Sequence, residues 1–436
     1  MNVYDSPFLA AKAIVSACAI LLCASVVAEN GDAKSPQDAS SDVPRQVGYR
    51  TSDAGFSGPS SVQSQLDEDD ILKNPVLRFP NIDRSFQPWQ DTKKRFNDKY
   101  DIQFGFDYNV LSQSISDSLS GEDNAAVGIL RSYGLWDLTR KNDQDWGRIS
   151  WKVDHRHKLF TDSAPADLAG QAGYIGVTGT LFSATNLVLV DLNWQQSFND
   201  GRSGLIAGRF DPSDYMGVLG YANPWTAFSN LAVLLNPSVA FPDASVGIGG
   251  GHRLTDQWYV KGSINDANGV VTELDAFDGG AEFFTWGEIG WTPAPDQQYL
   301  TNVHMVAWHV DEREDAGIGS ARGIMIGANK TTADQRWMGF VRAGWSNGDA
   351  PIYEETYTVG VLRKFRRNSD LFGIALNWGD PPDSSLSSQV TGEVFYRVQF
   401  AENLAITPSL QLLKDPALNP DDDTILVWGF RVRLTL

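Results

Sequence analysis

From Tyr100 to the last residue one pattern repeats: stretches of about ten residues in which apolar and polar positions alternate. In "DIQFGFDY", Ile102, Phe104, Phe106 and Tyr108 fall on one face, with Gln103, Gly105 and Asp107 on the other. "LVLVDLNWQQS" sets Val190, Leu192 and Trp194 against Asp191, Asn193 and Gln195. "GEVFYRVQF" sets Val394, Tyr396, Val398 and Phe400 against Glu393, Phe395, Arg397 and Gln399. The closing "VWGFRVRLTL" sets Phe430, Val432, Leu434 and Leu436 against Gly429, Arg431, Arg433 and Thr435. A period of two marks a β-strand with one apolar face.

Seven short joins, at 140–145, 197–202, 254–257, 293–298, 331–336, 364–370 and 401–403, mostly carry the Asn, Asp or Gly of tight hairpins. Eight long joins interleave with them, near 111–130, 158–185, 211–243, 265–281, 311–320, 346–354, 379–388 and 414–423. Together they separate sixteen strands and leave both ends on the short-turn side. This layout predicts an all-β fold, a sixteen-stranded antiparallel transmembrane β-barrel with short periplasmic turns and long external loops. A soluble two-layer sandwich would not need so strict an alternation. Several apolar faces end in Trp, as at Trp194, Trp345 and Trp378, which fits aromatic girdles at the membrane interfaces.

Side chains cannot fill the lumen of so wide a barrel. The longest join carries "YANPWTAFSNLAVLLNPSVAFP", too apolar for a solvated loop, so this third external loop is expected to fold inward. Pleat alternation puts Arg209, Arg342, Glu393, Arg397, Arg431 and Arg433 on the lumen side, joined by Asp191 and Gln195. Each could be a polar wall residue in a wet channel, but arginines opposite carboxylates would set a transverse field across the pore.

The N-terminal hundred residues read differently. Lys12 precedes the apolar run "AIVSACAILLCASVVA", and cleavage after Ala28 makes residues 1–28 a signal peptide. Residues 29–66, rich in Ser, Asp, Gly and Pro, read as a disordered linker. Residues 67–99 carry the acidic run Asp67, Glu68, Asp69 and Asp70 and a short helix around "QPWQDTKKRFNDKY", and are expected to be a periplasmic or plug segment. The barrel takes residues 100–436. Cys18 and Cys23 both precede residue 29, so the mature chain has no disulfide. No later run approaches the roughly 18 apolar residues of a membrane helix.

Composition refines this picture. A mean hydropathy of −0.26 would by itself suggest a soluble protein. With 54 Asp and Glu against 35 Lys and Arg, net −19, nucleic acid is not an expected partner. "HRH" places His155 and His157 on one face at a strand end, read as solvated rather than metal-binding. The acidic stretches 311–317 and 419–424 read as solvated loops that could also bind calcium or bridge cation-linked lipopolysaccharide. "GIGGGH" lacks a dinucleotide fingerprint's third glycine, and neither GxSxG nor HExxH occurs, so no catalysis, cofactor or metal is expected.

Four blocks resemble the carbohydrate-selective porin family of OprB type: "LVDLNWQQSFNDGRSGLIAGRFDPSDYM", "VGIGGGHRLTDQWYVKGSINDANG", "FVRAGWSNGDAPIYEETYTVGV" and "EVFYRVQFAENLAITPSLQLLKDP", with the closing "TILVWGFRVRLTL". The resemblance covers 100–436. It implies an outer-membrane barrel that passes small sugars by diffusion through an eyelet of charged and aromatic side chains. Sugars need hydroxyl partners, which arginine and carboxylate supply, and apolar faces for stacking. Tyr215, Tyr221, Trp225 and Phe228 of the third loop are the aromatic candidates, with plain packing against the wall as the alternative. The resemblance further implies outer-membrane lipid, lipopolysaccharide and the barrel assembly machinery as partners, and a monomer or homotrimer. Leu436 departs from the terminal Phe or Trp usual in such barrels. A general or anion-preferring channel or a polymer exporter is the competing reading, and a barrel enzyme a lesser one.

Overall fold

The computed structural model describes residues 58–436 apart from 72, 143, 222, 275, 278, 279 and 366–368. The expected signal peptide and residues 29–57 of the expected linker lie outside the described residues. One sheet closes on itself. Its strands are β1 (Ile102–Ile115), β2 (Asn124–Arg140), β3 (Trp146–Lys158), β4 (Asn186–Phe198), β5 (Ser203–Phe210) and β6 (Ser245–Arg253). Then come β7 (Trp258–Asp266), β8 (Phe283–Trp291), β9 (Asn302–Val310), β10 (Ala321–Thr331) and β11 (Trp337–Asn347). The last five are β12 (Glu355–Phe365), β13 (Asp370–Asp380), β14 (Gln389–Ala401), β15 (Leu404–Lys414) and β16 (Thr424–Thr435). Each pairs antiparallel with its sequence neighbours, and β1 meets β16 from Asp107↔Thr435 to Ile115↔Val427.

The turns follow local chemistry. Between β4 and β5, Asn199, Asp200 and Gly201 take φ of 59°, 54° and 74°, the left-handed region that these residue types tolerate best. Every long loop lies at the end opposite the start of β1 and the end of β16.

The period-two reading holds along most strands. On β16, Arg431 and Arg433 are buried inside, while Trp428 and Phe430 stand half exposed outside. Leu130, Leu192, Ile374 and Leu376 continue this outer apolar surface around the barrel. A band of that extent needs lipid, because water would be a poor solvent for it. β4 departs from the expectation at Val190, which is buried inside rather than outside with Leu192 and Trp194. There Lys152 pairs with Asp191 but Val153 with Leu189, so Val190 is the extra residue of a β-bulge that shifts the alternation.

Two helices precede the barrel, α1 (Val62–Asp70) and α2 (Pro80–Tyr100). Residues 62–66, expected as part of the linker, are helical. Ser61 caps α1 by accepting from the Ser64 amide at 3.4 Å. Acidic residues at its C-terminal end oppose the helix dipole, and nine residues are too few for a helix to hold alone. The barrel interior supplies what the sequence lacks.

Candidate functional site

The inner wall carries a continuous row of charge. On β3, Arg148, Ser150, Lys152, Asp154 and Arg156 all point inward. Asp154 accepts from Arg156 at 2.8 Å and from Arg131 of β2 at 3.3 Å. Arg131 also reaches Asp107 of β1 at 3.4 Å, and Asp107 accepts from Arg433 of β16 at 2.9 Å. Lys152 bridges Asp191 at 3.1 Å and Asp214 of the third loop at 2.7 Å. Burial pushes the Asp214 carboxyl up to about 6, against the pull of Lys152.

The third loop, residues 211–244, folds into the lumen as expected and is fastened by wall residues. It contains a short helix, α4 (Leu231–Leu234), which follows α3 (Leu168–Gln171) of the second long loop. Glu393 accepts from the amide of Ser229 at 2.8 Å, its hydroxyl at 2.9 Å and the amide of Asn230 at 2.9 Å. Arg431 donates to the carbonyls of Pro224 and Ala227. Arg342 donates to those of Leu234 and Val233, at 3.0 and 2.9 Å. The four loop aromatics are buried. Phe228 packs edge-on against Phe395 and Phe340, Tyr215 against Phe210, and Trp225 against Phe182 and over Arg131. Tyr221 lies under Lys364 and donates to the Gln335 carbonyl.

The second long loop, residues 159–185, also folds inward, which the sequence reading did not anticipate. Gln113 and Gln411 both donate to the Thr178 carbonyl at 2.8 Å, and Tyr353 donates to that of Ile175 at 3.0 Å. Its stretch "LAGQAGYIGVTGTLF" has no charged residue, the same signal that marked the third loop.

The N-terminal segment also enters the lumen. Pro59 accepts from Asn223 of the third loop at 2.9 Å, and a Cβ on Gly58 would lie 2.1 Å from the Asp214 carbonyl, so only glycine fits that approach. From there α1 runs down the lumen. Val62 and Leu66 pack on Tyr133 and Leu135 of β2. Its polar atoms are held by wall cations: Gln63 by Arg148 at 2.9 Å, Gln65 by Arg131 at 2.9 Å, Glu68 by Arg397 at 3.1 Å and Asp69 by Arg433 at 3.1 Å. Tyr133 also donates to Asp69. Burial alone would raise the Glu68 carboxyl, but Arg397, Arg433, Lys73 and Lys364 pull it down to about 2. A cavity of about 40 Å³ between Ser60, Asp214, Leu234 and Arg342 remains, room for a few waters and too small for a sugar ring.

The sequence-chosen residues thus separate by partner. Asp191 and Gln195 lie inside, Gln195 accepting from Arg148 at 3.0 Å. Arg342, Glu393 and Arg431 hold the third loop, while Arg397 and Arg433 hold α1. Arg209 is buried where β5 ends; it pairs with Leu192 and Val246 and donates to the carbonyls of Leu189 and Val270, both at 2.7 Å. Gly208, at φ 127°, precedes it and bends the strand end. Arg131, Arg148, Lys152 and Arg156 were missed, although "RISWKVDHRH" shows the β3 row in plain alternation. The two histidines on the other face drew the reading instead. The rings of His155 and His157 lie 5.4 Å apart and tilted by 39°, and among the described residues no group of three or more side chains that could hold a metal occurs.

Residues 163–436 match the family described as carbohydrate-selective porin, OprB family. Porin AaxA of Chlamydia pneumoniae is 22% identical over 263 residues, 57% of this chain and 59% of that protein. The aligned part therefore spans less than two-thirds of that relative's length. The high-pH structure of Pseudomonas putida OprB is similar with a TM-score of 0.66 and 15% identity, covering 80% of this chain and 97% of that one. At that identity the likeness shows the fold.

Proposed function

Because this chain belongs to the carbohydrate-selective porin family and forms a barrel of the bacterial outer membrane, we propose that it admits small sugars to the periplasm by passive diffusion. One observation carries the reading beyond family membership. Arg131, Arg148, Arg397 and Arg433 turn guanidinium donors into the lumen, where each holds an amide or carboxylate oxygen of α1. Sugar hydroxyls would accept from the same donors, so a sugar and α1 compete for one set of sites. Weak, multiple contacts suit flux, because a tight site would block it. In this reading α1 is a plug that must withdraw before a sugar passes. Lipopolysaccharide at the outer rim, insertion by the barrel assembly machinery and a monomer or homotrimer belong to the same proposal.

Protein lacking residues 29–71, in a planar bilayer, is expected to conduct ions and to lose current as sugar is added. Current that sugar leaves untouched, while small anions permeate well, would favour an anion channel that uses the same arginines.

The plug also predicts a pH response. Glu68 is depressed to about 2 when docked and returns to near 4.5 when free, so the docked state gains stability above about 4.5. That gain is lost as pH falls toward 2. Single-channel recordings of the full chain should show more open time as pH drops through this window, and Glu68→Gln should flatten the response.

A further inference from the structure

We propose that α2 is an interfacial helix seated in the periplasmic leaflet of the outer membrane, with anionic phospholipid as its partner. The inference concerns a surface outside the pore and does not depend on what the channel passes. Ile82, Phe86, Trp89, Phe96 and Tyr100 fall at spacings of four, three, seven and four, one stripe of a helix about 30 Å long. The opposite side carries Gln87, Asp91, Lys94, Arg95 and Asp98.

The stripe docks on the outside of the barrel. Trp89 lies 5.7 and 5.9 Å from Phe104 and Phe106, and Phe96 lies 5.8 Å from Phe104. Both phenylalanines are on the outward face of β1. The helix follows the short-turn rim. Before it, the amides of Val76 and Leu77 donate to the carbonyls of Gln399 and Phe400 at the end of β14. Within it, Lys93 fills the gap in the stripe and donates to the Leu436 carbonyl at 3.4 Å. The rim where the short turns lie faces the periplasm in this architecture.

The barrel covers only part of the apolar surface. Val76, Leu77, Phe79, Ile82, Phe96 and Tyr100 remain 38–52% exposed. Through Trp89 and Phe96 this patch is continuous with the lipid-facing band, so the occupant that covers the band also covers the patch. Charge names the lipid class. α2 carries five cationic and three acidic side chains in a chain of net charge −19. An amphipathic helix with a cationic excess, lying at the edge of a hydrocarbon band, suits anionic headgroups.

Spin labels on single cysteines test the proposal, in the full chain with Cys18→Ser and Cys23→Ser. The vesicles are phosphatidylethanolamine with phosphatidylglycerol. Labels at Ile82→Cys and Tyr100→Cys should collide with oxygen several-fold more, relative to a water-soluble nickel chelate, than labels at Gln87→Cys and Asp91→Cys. Equal ratios at all four positions would overturn the proposal. So would labels at 82 and 100 shielded from both reagents, which would make the patch a contact between copies. Exchanging phosphatidylglycerol for phosphatidylcholine should lower the ratio at 82, and an unchanged ratio would overturn the anionic partner.

Discussion

Deleting residues 29–71 is expected to raise single-channel conductance several-fold over the full chain, and sugar flux with it. The deletion removes α1 from its place between the β1–β3 wall and the third loop, beside a cavity of about 40 Å³. Arg131, Arg148, Arg397 and Arg433 lose protein partners but gain water, so the barrel itself stays stable. Planar-bilayer recording and liposome swelling with equal amounts of the two proteins make the comparison, with heat-modifiable migration as the check on folding. Equal conductance would mean that α1 does not obstruct the pore. Point changes should act in the same direction. Glu68→Gln with Asp69→Asn leaves α1 in place but weakens two ion pairs, one partly open to water at Glu68 and one largely buried at Asp69. A loss of about 1–2 kcal/mol, between the values for exposed and buried pairs, shifts the closed-to-open ratio roughly tenfold.

The second large effect is expected at Glu393. Its carboxylate takes three hydrogen bonds from Ser229 and Asn230, deep in the lumen. Glu393→Ala leaves two buried amides without an acceptor, at about 1–3 kcal/mol each. The third loop should come loose around 223–235. In the background lacking residues 29–71, conductance should rise further and sugar block should weaken, while added protease should cut within the loop. Glu393→Gln keeps one acceptor and should fall between. Intact sugar block in Glu393→Ala would show that the loop is held in place by its aromatic packing, chiefly Phe228 on Phe395 and Phe340.

The strand system was legible because its physics is local. Facing alternates with every residue, and Arg431 and Arg433 could be assigned inward from the last ten letters alone. Val190 shows the limit of that reasoning: a bulge depends on the partner strand's register, which no single strand encodes. What a side chain bonds to was less legible than where it points. Arg342, Glu393 and Arg431 could be placed inside, but their partners lie more than a hundred residues away on the third loop. The seat of α1 was least legible. "VQSQLDEDD" looks like a solvated acidic segment, and it is a helix only where lumen cations meet its carboxylates.

Arg433 bonds Asp107 on the first strand and Asp69 on α1, and it belongs to the last strand. Closing the cylinder and locking α1 therefore share one guanidinium. Translation makes α1 before any strand and Arg433 on the last of the sixteen. A nascent chain stalled before β16 would have an open seam and an unlocked N-terminal segment at once. Quality control that senses either defect would detect both.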